Sequence, residues 1–251
     1  MNDWSSTSAI TLLITTVVFT AAGLVKGVVG LGLPTLSMAL LALVMTPAQA
    51  AALLILPSLV TNVWQTRPRA TLGPLLKRLA GMQAGVVAGT LAGAWWLGAP
   101  AGAWATLALG AALMAYAAWA LAGARITVSA RSERWLGPLM GAATGLVTAA
   151  TGVFVVPAVP YLQALGLARD ELIQAMGLSF TVSTLALAAG LQMNAQYPIS
   201  VLGISALMLL PALVGMQIGQ WLRLRLSPPV FRACFLVALL ALGAYMVLRS
   251  I

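Results

Sequence analysis

Apolar runs about one membrane thickness long alternate with short polar connections along almost the whole chain. Residues 9–29, 48–65, 79–97, 104–122, 135–150, 171–191, 199–222 and 230–248 each read as one helix, near the roughly 20 residues that a hydrocarbon core of about 30 Å requires. Two further runs, 31–45 and 152–165, are too short, since about 14 residues give only about 21 Å of helix. Each begins at a break in the pattern.

The first break is Gly23-Leu-Val-Lys-Gly-Val-Val-Gly-Leu-Gly-Leu-Pro34, apolar sequence interrupted by glycines, a proline and one lysine. The second, Gly145-Leu-Val-Thr-Ala-Ala-Thr-Gly-Val-Phe-Val-Val-Pro157, is a weaker copy. Gly23 and Gly145 are 122 positions apart, as are Gly30 and Gly152. Gly89, Gly93 and Trp95 return as Gly215, Gly219 and Trp221, each 126 positions on. Matches spread over both halves predict a duplicated chain. The expected plan is a first membrane repeat at 1–124, a linker at 125–134 and a second repeat at 135–251. The predicted fold class is all-α and polytopic, with eight to ten membrane segments, some of them short or broken.

Composition excludes a soluble globule. Hydrophobic residues make up 61% of the chain, charged residues only 7%, and mean hydropathy is +1.01, whereas soluble domains carry about 25% charged residues. The long apolar start at residues 9–30 follows Asp3 rather than a basic stretch, so it reads as a retained membrane segment and not as a cleaved signal. The net charge of +9 does not argue for nucleic acid, because the basic residues fall in short loops where retention on the cytoplasmic side explains them. With the loops at 67–78, 125–134, 169–171 and 223–232 placed inside and Lys26 near that side, only Arg249 is left outside. The basic loop after the third segment then matches an uncharged loop after the eighth. The two repeats are therefore expected to face opposite ways, the pattern of secondary carriers whose substrate sits near the midplane between broken helices. Cys234 is the only cysteine, so no disulfide forms within one chain.

Candidate chemistry concentrates at the breaks. Irregular backbone at membrane depth must face protein or a polar cavity, and helices that restart there, with Pro34 and Pro157 near their first turns, offer N–H groups and positive dipole ends to an anion. Lys26 would cost at least about 2.5–3.5 kcal/mol at a membrane centre. Asp3, Glu133, Asp170 and Glu171 all fall in loops or at segment ends, leaving it no acidic partner within a segment. It either serves a negative ligand or reaches back to the headgroups. The expected substrate-binding set is Lys26, Gly30, Leu31, Gly32, Gln49, Asn62, Thr151, Gly152, Phe154, Gln174 and Ser179. Lys26 supplies charge, the glycine turns supply N–H groups, and the amides and hydroxyls supply orientation. Such polar side chains also join membrane helices to one another. The glycine stripe Gly81, Gly85, Gly89, Gly93 reads as a close helix contact, within the chain or with a partner. The chain holds no histidine, so a hydrolase would lack its usual base and metal ligands. No enzyme activity, metal or cofactor is expected.

The break Lys26-Gly-Val-Val-Gly-Leu-Gly32 followed by Pro34, its weaker repeat and the loop-poor apolar layout resemble the sulfite exporter TauE/SafE family, also called the 4-toluene sulfonate uptake permease family. The likeness covers nearly the whole chain. It implies a multi-pass carrier of the bacterial inner membrane for sulfur-containing anions such as sulfite, sulfoacetate or toluenesulfonate, with the lipid bilayer as its other partner. Gly27, Gly30, Gly32 and Pro34 fit the family pattern. The second copy departs from it at Ala149 and Phe154, and Phe154, with Phe180 and Tyr161, is a candidate wall for an aromatic sulfonate. A membrane scaffold that binds a partner through its glycine stripes, and an anion channel, are the competing readings.

Overall fold

The computed structural model describes residues 9–67, 71–123, 126–225 and 227–250, so Asp3, Arg69 and Arg125 lie outside it. The described residues form ten helices and no strand. In chain order these are α1 (Ala9–Val29), α2 (Leu33–Leu41), α3 (Pro47–Gln65), α4 (Leu72–Leu97), α5 (Gly102–Ala122), α6 (Ala130–Thr151), α7 (Ala158–Ala164), α8 (Arg169–Met193), α9 (Ile199–Arg223) and α10 (Pro228–Ser250). Six of them, α1, α3, α5, α8, α9 and α10, are long and apolar enough to cross a membrane. With 26 and 22 residues, α4 and α6 are comparable in length, but glycines and the charged residues of their first two turns lower their hydropathy.

Hydropathy reports where a helix is apolar, and caps decide where it starts. The run expected from residue 135 begins helically at Ala130, because the Ser129 hydroxyl accepts the Ser132 N–H at 3.3 Å. Conversely, α2 and α7 have only 9 and 7 residues, about 14 and 10 Å of rise, so neither crosses a bilayer. The second is shorter than its apolar run because the backbone after the break stays irregular before the helix starts, whereas α2 starts two residues into its run and ends early, in turns over 42–44. Gly30 and Gly32 hold φ of 81° and 116°, and Gly152 holds 71°, the left-handed region that only glycine enters without cost. Pro34 sits in the first turn of α2, while Pro157 caps α7 from outside.

Two helix pairs approach so closely that backbone replaces side chains. A Cβ on Gly23 would overlap the carbonyl oxygen of Ala212, and one on Gly27 that of Met216. From the other side Gly215 lies on Thr20 and Gly219 on Leu24, so α1 and α9 run parallel. The pair α4 and α6 repeats this arrangement: Gly145 lies on Val86, Gly89 on Ala142 and Gly93 on Leu146. Elsewhere α3 runs antiparallel to α8 and α5 antiparallel to α10, the latter through Gly110 and Gly243. The stripe Gly81, Gly85, Gly89, Gly93 is thus spent on α6 of the same chain.

Helix α3 contains Pro57, whose missing N–H leaves the Leu53 carbonyl without its helical donor. The Ser205 hydroxyl from α9 donates to that carbonyl at 2.7 Å and accepts the Leu56 N–H at 3.3 Å. One buried serine therefore repairs the break and ties α9 to α3.

Two stability series test this packing, read from thermal melts of purified protein. Gly215→Ala, which puts a methyl onto the Thr20 backbone, is expected to cost about 1–3 kcal/mol or more. Gly203→Ala, with open space at its Cβ, is expected to be neutral or stabilising. Ser205→Ala is expected to cost about 1–3 kcal/mol by orphaning the Leu53 carbonyl, and Pro57→Ala in that background is expected to recover part of the loss. Equal effects of the two glycine changes, or no rescue, would refute these assignments.

Candidate functional site

Lys26 lies three residues before the end of α1 and is 5% exposed. It does not turn back to the headgroups. Its Nζ donates to Thr61 Oγ1 at 3.0 Å and to Asn62 Oδ1, both on α3. The Thr61 hydroxyl spends its own proton on the Pro57 carbonyl at 2.7 Å, so towards Lys26 it can only accept. Asn62 Nδ2 donates to Ser58 Oγ at 3.0 Å, and Ser58 lies 3.2 Å from Thr184 Oγ1 on α8. Thr184 gives its proton to the Phe180 carbonyl at 2.6 Å, so Ser58 is the donor between the two. The chain of donors runs one way, from Lys26 through Asn62 and Ser58 to Thr184, and it fixes the Asn62 amide with its oxygen towards the ammonium.

Only neutral oxygens therefore meet this buried cation. Among the described residues one ion pair forms, Arg78 with Glu133 at 2.7 Å, between the second turn of α4 and the first turn of α6. An ammonium has three donors and Lys26 spends two. At the break that follows in the chain, the N–H groups of Leu31 and Gly32 donate to nothing among the described residues. The hydroxyls of Thr35 and Ser37, on the first turns of α2 just after the break, are buried without a partner. Gln65 holds the Gly30 carbonyl with its Nε2 at 3.1 Å, leaving its Oε1 as an acceptor without a partner. The first break thus carries a positive charge and a surplus of donors, which suits a small anion with several oxygens.

The remaining expected site residues scatter. Gly30 and Gly152 were expected to offer free N–H groups, but these close the preceding helices, on Lys26 and Thr148 at 2.8 Å each. Leu31 is buried beside the break. Thr151 accepts the Val153 N–H at 3.1 Å, and a Cβ on Gly152 would press on Met38 of α2 and Ala51 of α3. Phe154 is fully buried, its ring 5.2 Å from that of Phe180. Ser179 accepts from Gln83 at 2.8 Å, and Gln174 holds the Thr66 carbonyl at 2.7 Å. Gln49 lies near the far end of α3, where it and Thr46 form a reciprocal helix cap. Nor do the two breaks meet at one level: along α3, Lys26 reaches Asn62 whereas Gly152 touches Ala51, about 16 Å of helix rise away.

Thr61, Ser58, Thr35 and Ser37 were not singled out from sequence. A signal existed only for Thr61 and Ser58, which share a helical turn with Asn62.

The model of the sulfite exporter TauE/SafE family matches residues 15–246. The chain belongs to that family. No curated protein and no solved structure matches it. TauE/SafE proteins are membrane transporters rather than enzymes, and the family implies export of sulfite or a related sulfur anion.

If the Lys26 ammonium serves a ligand rather than the fold, Lys26→Met should melt within a few degrees of the parent, or above it. Replacing a buried unpaired charge by an apolar chain of similar volume relieves its desolvation. A large drop in melting temperature would instead mark the lysine as a structural link between α1 and α3.

Proposed function

We propose that this TauE/SafE protein is a secondary carrier of the bacterial inner membrane for small sulfur oxyanions or organosulfonates, and that Lys26 carries the charge of the binding site. The observation that supports this most is the burial of Lys26 against Thr61 and Asn62 with no carboxylate beside it. Unpaired cations within membrane helices are costly and mark ion or substrate pathways. An anion that accepts from the third ammonium donor and from the Leu31 and Gly32 N–H groups would supply the missing negative charge.

Helix directions support an inverted duplication. Exchanging α1 with α6, α3 with α8, α4 with α9 and α5 with α10 carries each close pair either into itself, as for α3 with α8 and α5 with α10, or into another pair of the structure. The residues correspond too: Gly23 on Ala212 becomes Gly145 on Val86, and Gly215 on Thr20 becomes Gly89 on Ala142. Since α4 runs parallel to α8 and α8 folds back into α9, α4 and α9 point opposite ways, and so do α1 and α6. We read residues 1–124 and 135–251 as the two inverted repeats, with all the basic residues except Arg249 on the cytoplasmic side. The scaffold reading loses its footing, because the glycine stripes that would bind a partner are filled from within the chain.

In proteoliposomes, uptake of labelled sulfite or toluenesulfonate is expected to saturate and to show countertransport, which separates a carrier from a pore. Lys26→Met should reduce it at least tenfold. Asn62→Asp, which gives the ammonium a fixed carboxylate, should inhibit similarly while leaving the fold intact. Parent-level transport in both variants would dismiss the Lys26 site.

A further inference from the structure

Three arginines that the Lys26 site does not use converge on one cleft. It has a volume of about 390 Å³ and is lined by Val28 and Val29 at the end of α1, by Arg169 at the start of α8, by Arg223 at the end of α9 and by Arg232 near the start of α10. None of the three guanidinium groups has a hydrogen bond or ion pair among the described residues. No acidic residue lines the cleft. The nearest carboxylates in sequence are Asp170 and Glu171, and Glu171 is turned away to accept the Ala168 N–H at 3.1 Å. Arg225, which points elsewhere, rests instead on the Trp221 ring at 4.1 Å.

Retention of positive charge on one side of the membrane accounts for arginines in loops. It does not account for three from separate helices around a single concavity with apolar walls and no counter-charge. Arginine forks suit planar or tetrahedral oxyanions bidentately, and the volume falls in the range of small-ligand pockets. Val29 is followed directly by Gly30, so the cleft abuts the first break on the basic side. We infer that this cleft is a second anion site, selective for a sulfonate, sulfate or phosphate group, standing at the cytoplasmic approach to Lys26. Its function as an approach rests on the carrier reading above, whereas the binding itself does not. The oxyanion has two sources, a free sulfur anion or the headgroup of an anionic lipid.

The test uses the full chain as Lys26→Met, which removes the deeper charge, with and without Arg169→Gln, Arg223→Gln and Arg232→Gln together. In phosphatidylcholine nanodiscs, labelled sulfate is expected to bind the Lys26→Met protein saturably and at least tenfold more weakly once the arginines are replaced. Arg→Lys at the three positions should restore part of the affinity. If sulfate does not bind but phosphatidylglycerol co-purifies with the Lys26→Met protein and is lost from the glutamine variant, the cleft holds a lipid headgroup by the same chemistry. Unchanged sulfate binding and unchanged lipid retention would overturn the inference. Should the triple variant fail to fold, each single Arg→Gln is expected to lower affinity threefold or more, and three silent single variants overturn it equally.

Discussion

The bond from the Lys26 ammonium to Asn62 depends on three helices holding one another in place. Lys26 belongs to α1 and Asn62 to α3. Their separation is fixed by α9, which lies against the α1 backbone through Gly23, Gly27, Gly215 and Gly219 and grips α3 through Ser205 at the Pro57 break. The triangle closes only if all three contacts form. An apolar bundle gives little reason for one helix to choose another, since lipid tails are as apolar as leucine. Close backbone approach and a few buried polar bonds carry the selection instead.

A second triangle of α6, α4 and α8 has the same glycine contacts, but its chemistry differs. The position equivalent to Lys26, 122 residues on, is Thr148, and the one equivalent to Asn62 is Thr184. Thr148 spends its hydroxyl on the Thr144 carbonyl at 2.7 Å, a bond inside its own helix that needs no ligand. The scaffold is thus repeated while the charge is not. The neutral second break instead packs tightly on Met38 and Ala51.

Much of this was legible in the sequence. Apolar runs located the spanning helices to within a few residues, because burial in hydrocarbon and helical length are set by the same thickness. The breaks were legible because glycine and proline act on the backbone where they stand. Lys26 and Asn62 were legible as misplaced polarity. What escaped was long-range: nothing local tells that Ser205 would answer Pro57, or that Thr61 would accept from Lys26. Gln49 was misread although its signal is local. Thr46-Pro47 followed by Gln49 has the spacing of a capping box, and a residue spent on a cap is not available at a site some way along the helix. The expectation that both breaks share one level failed for a geometric reason. In the inverted arrangement proposed above, equivalent residues would lie at mirrored depths and coincide only where the break itself lies at the midplane, whereas Lys26 is three residues from the end of its helix.

Mirrored depths bear on how an anion could cross. Within each triangle one helix pair, α1 with α9 or α4 with α6, meets backbone to backbone, and separating that pair would open voids along several turns. Between the triangles, α3 and α8 are joined by the Ser58–Thr184 hydroxyl pair, by Gln174 on the Thr66 carbonyl at 2.7 Å and by Gly177 against the backbone of Asn62 and Gln65, and polar contacts between membrane helices contribute on average about 0.6 kcal/mol each. The seam between the two triangles therefore runs directly beyond Asn62, in line with the donor chain that starts at Lys26. A carrier needs one rigid group to move against another around its site, and here the closest backbone contacts, α1 with α9 and α4 with α6, lie within the groups. Lys26 stands on the edge of that seam, so an anion held there would face whichever side the seam opens to.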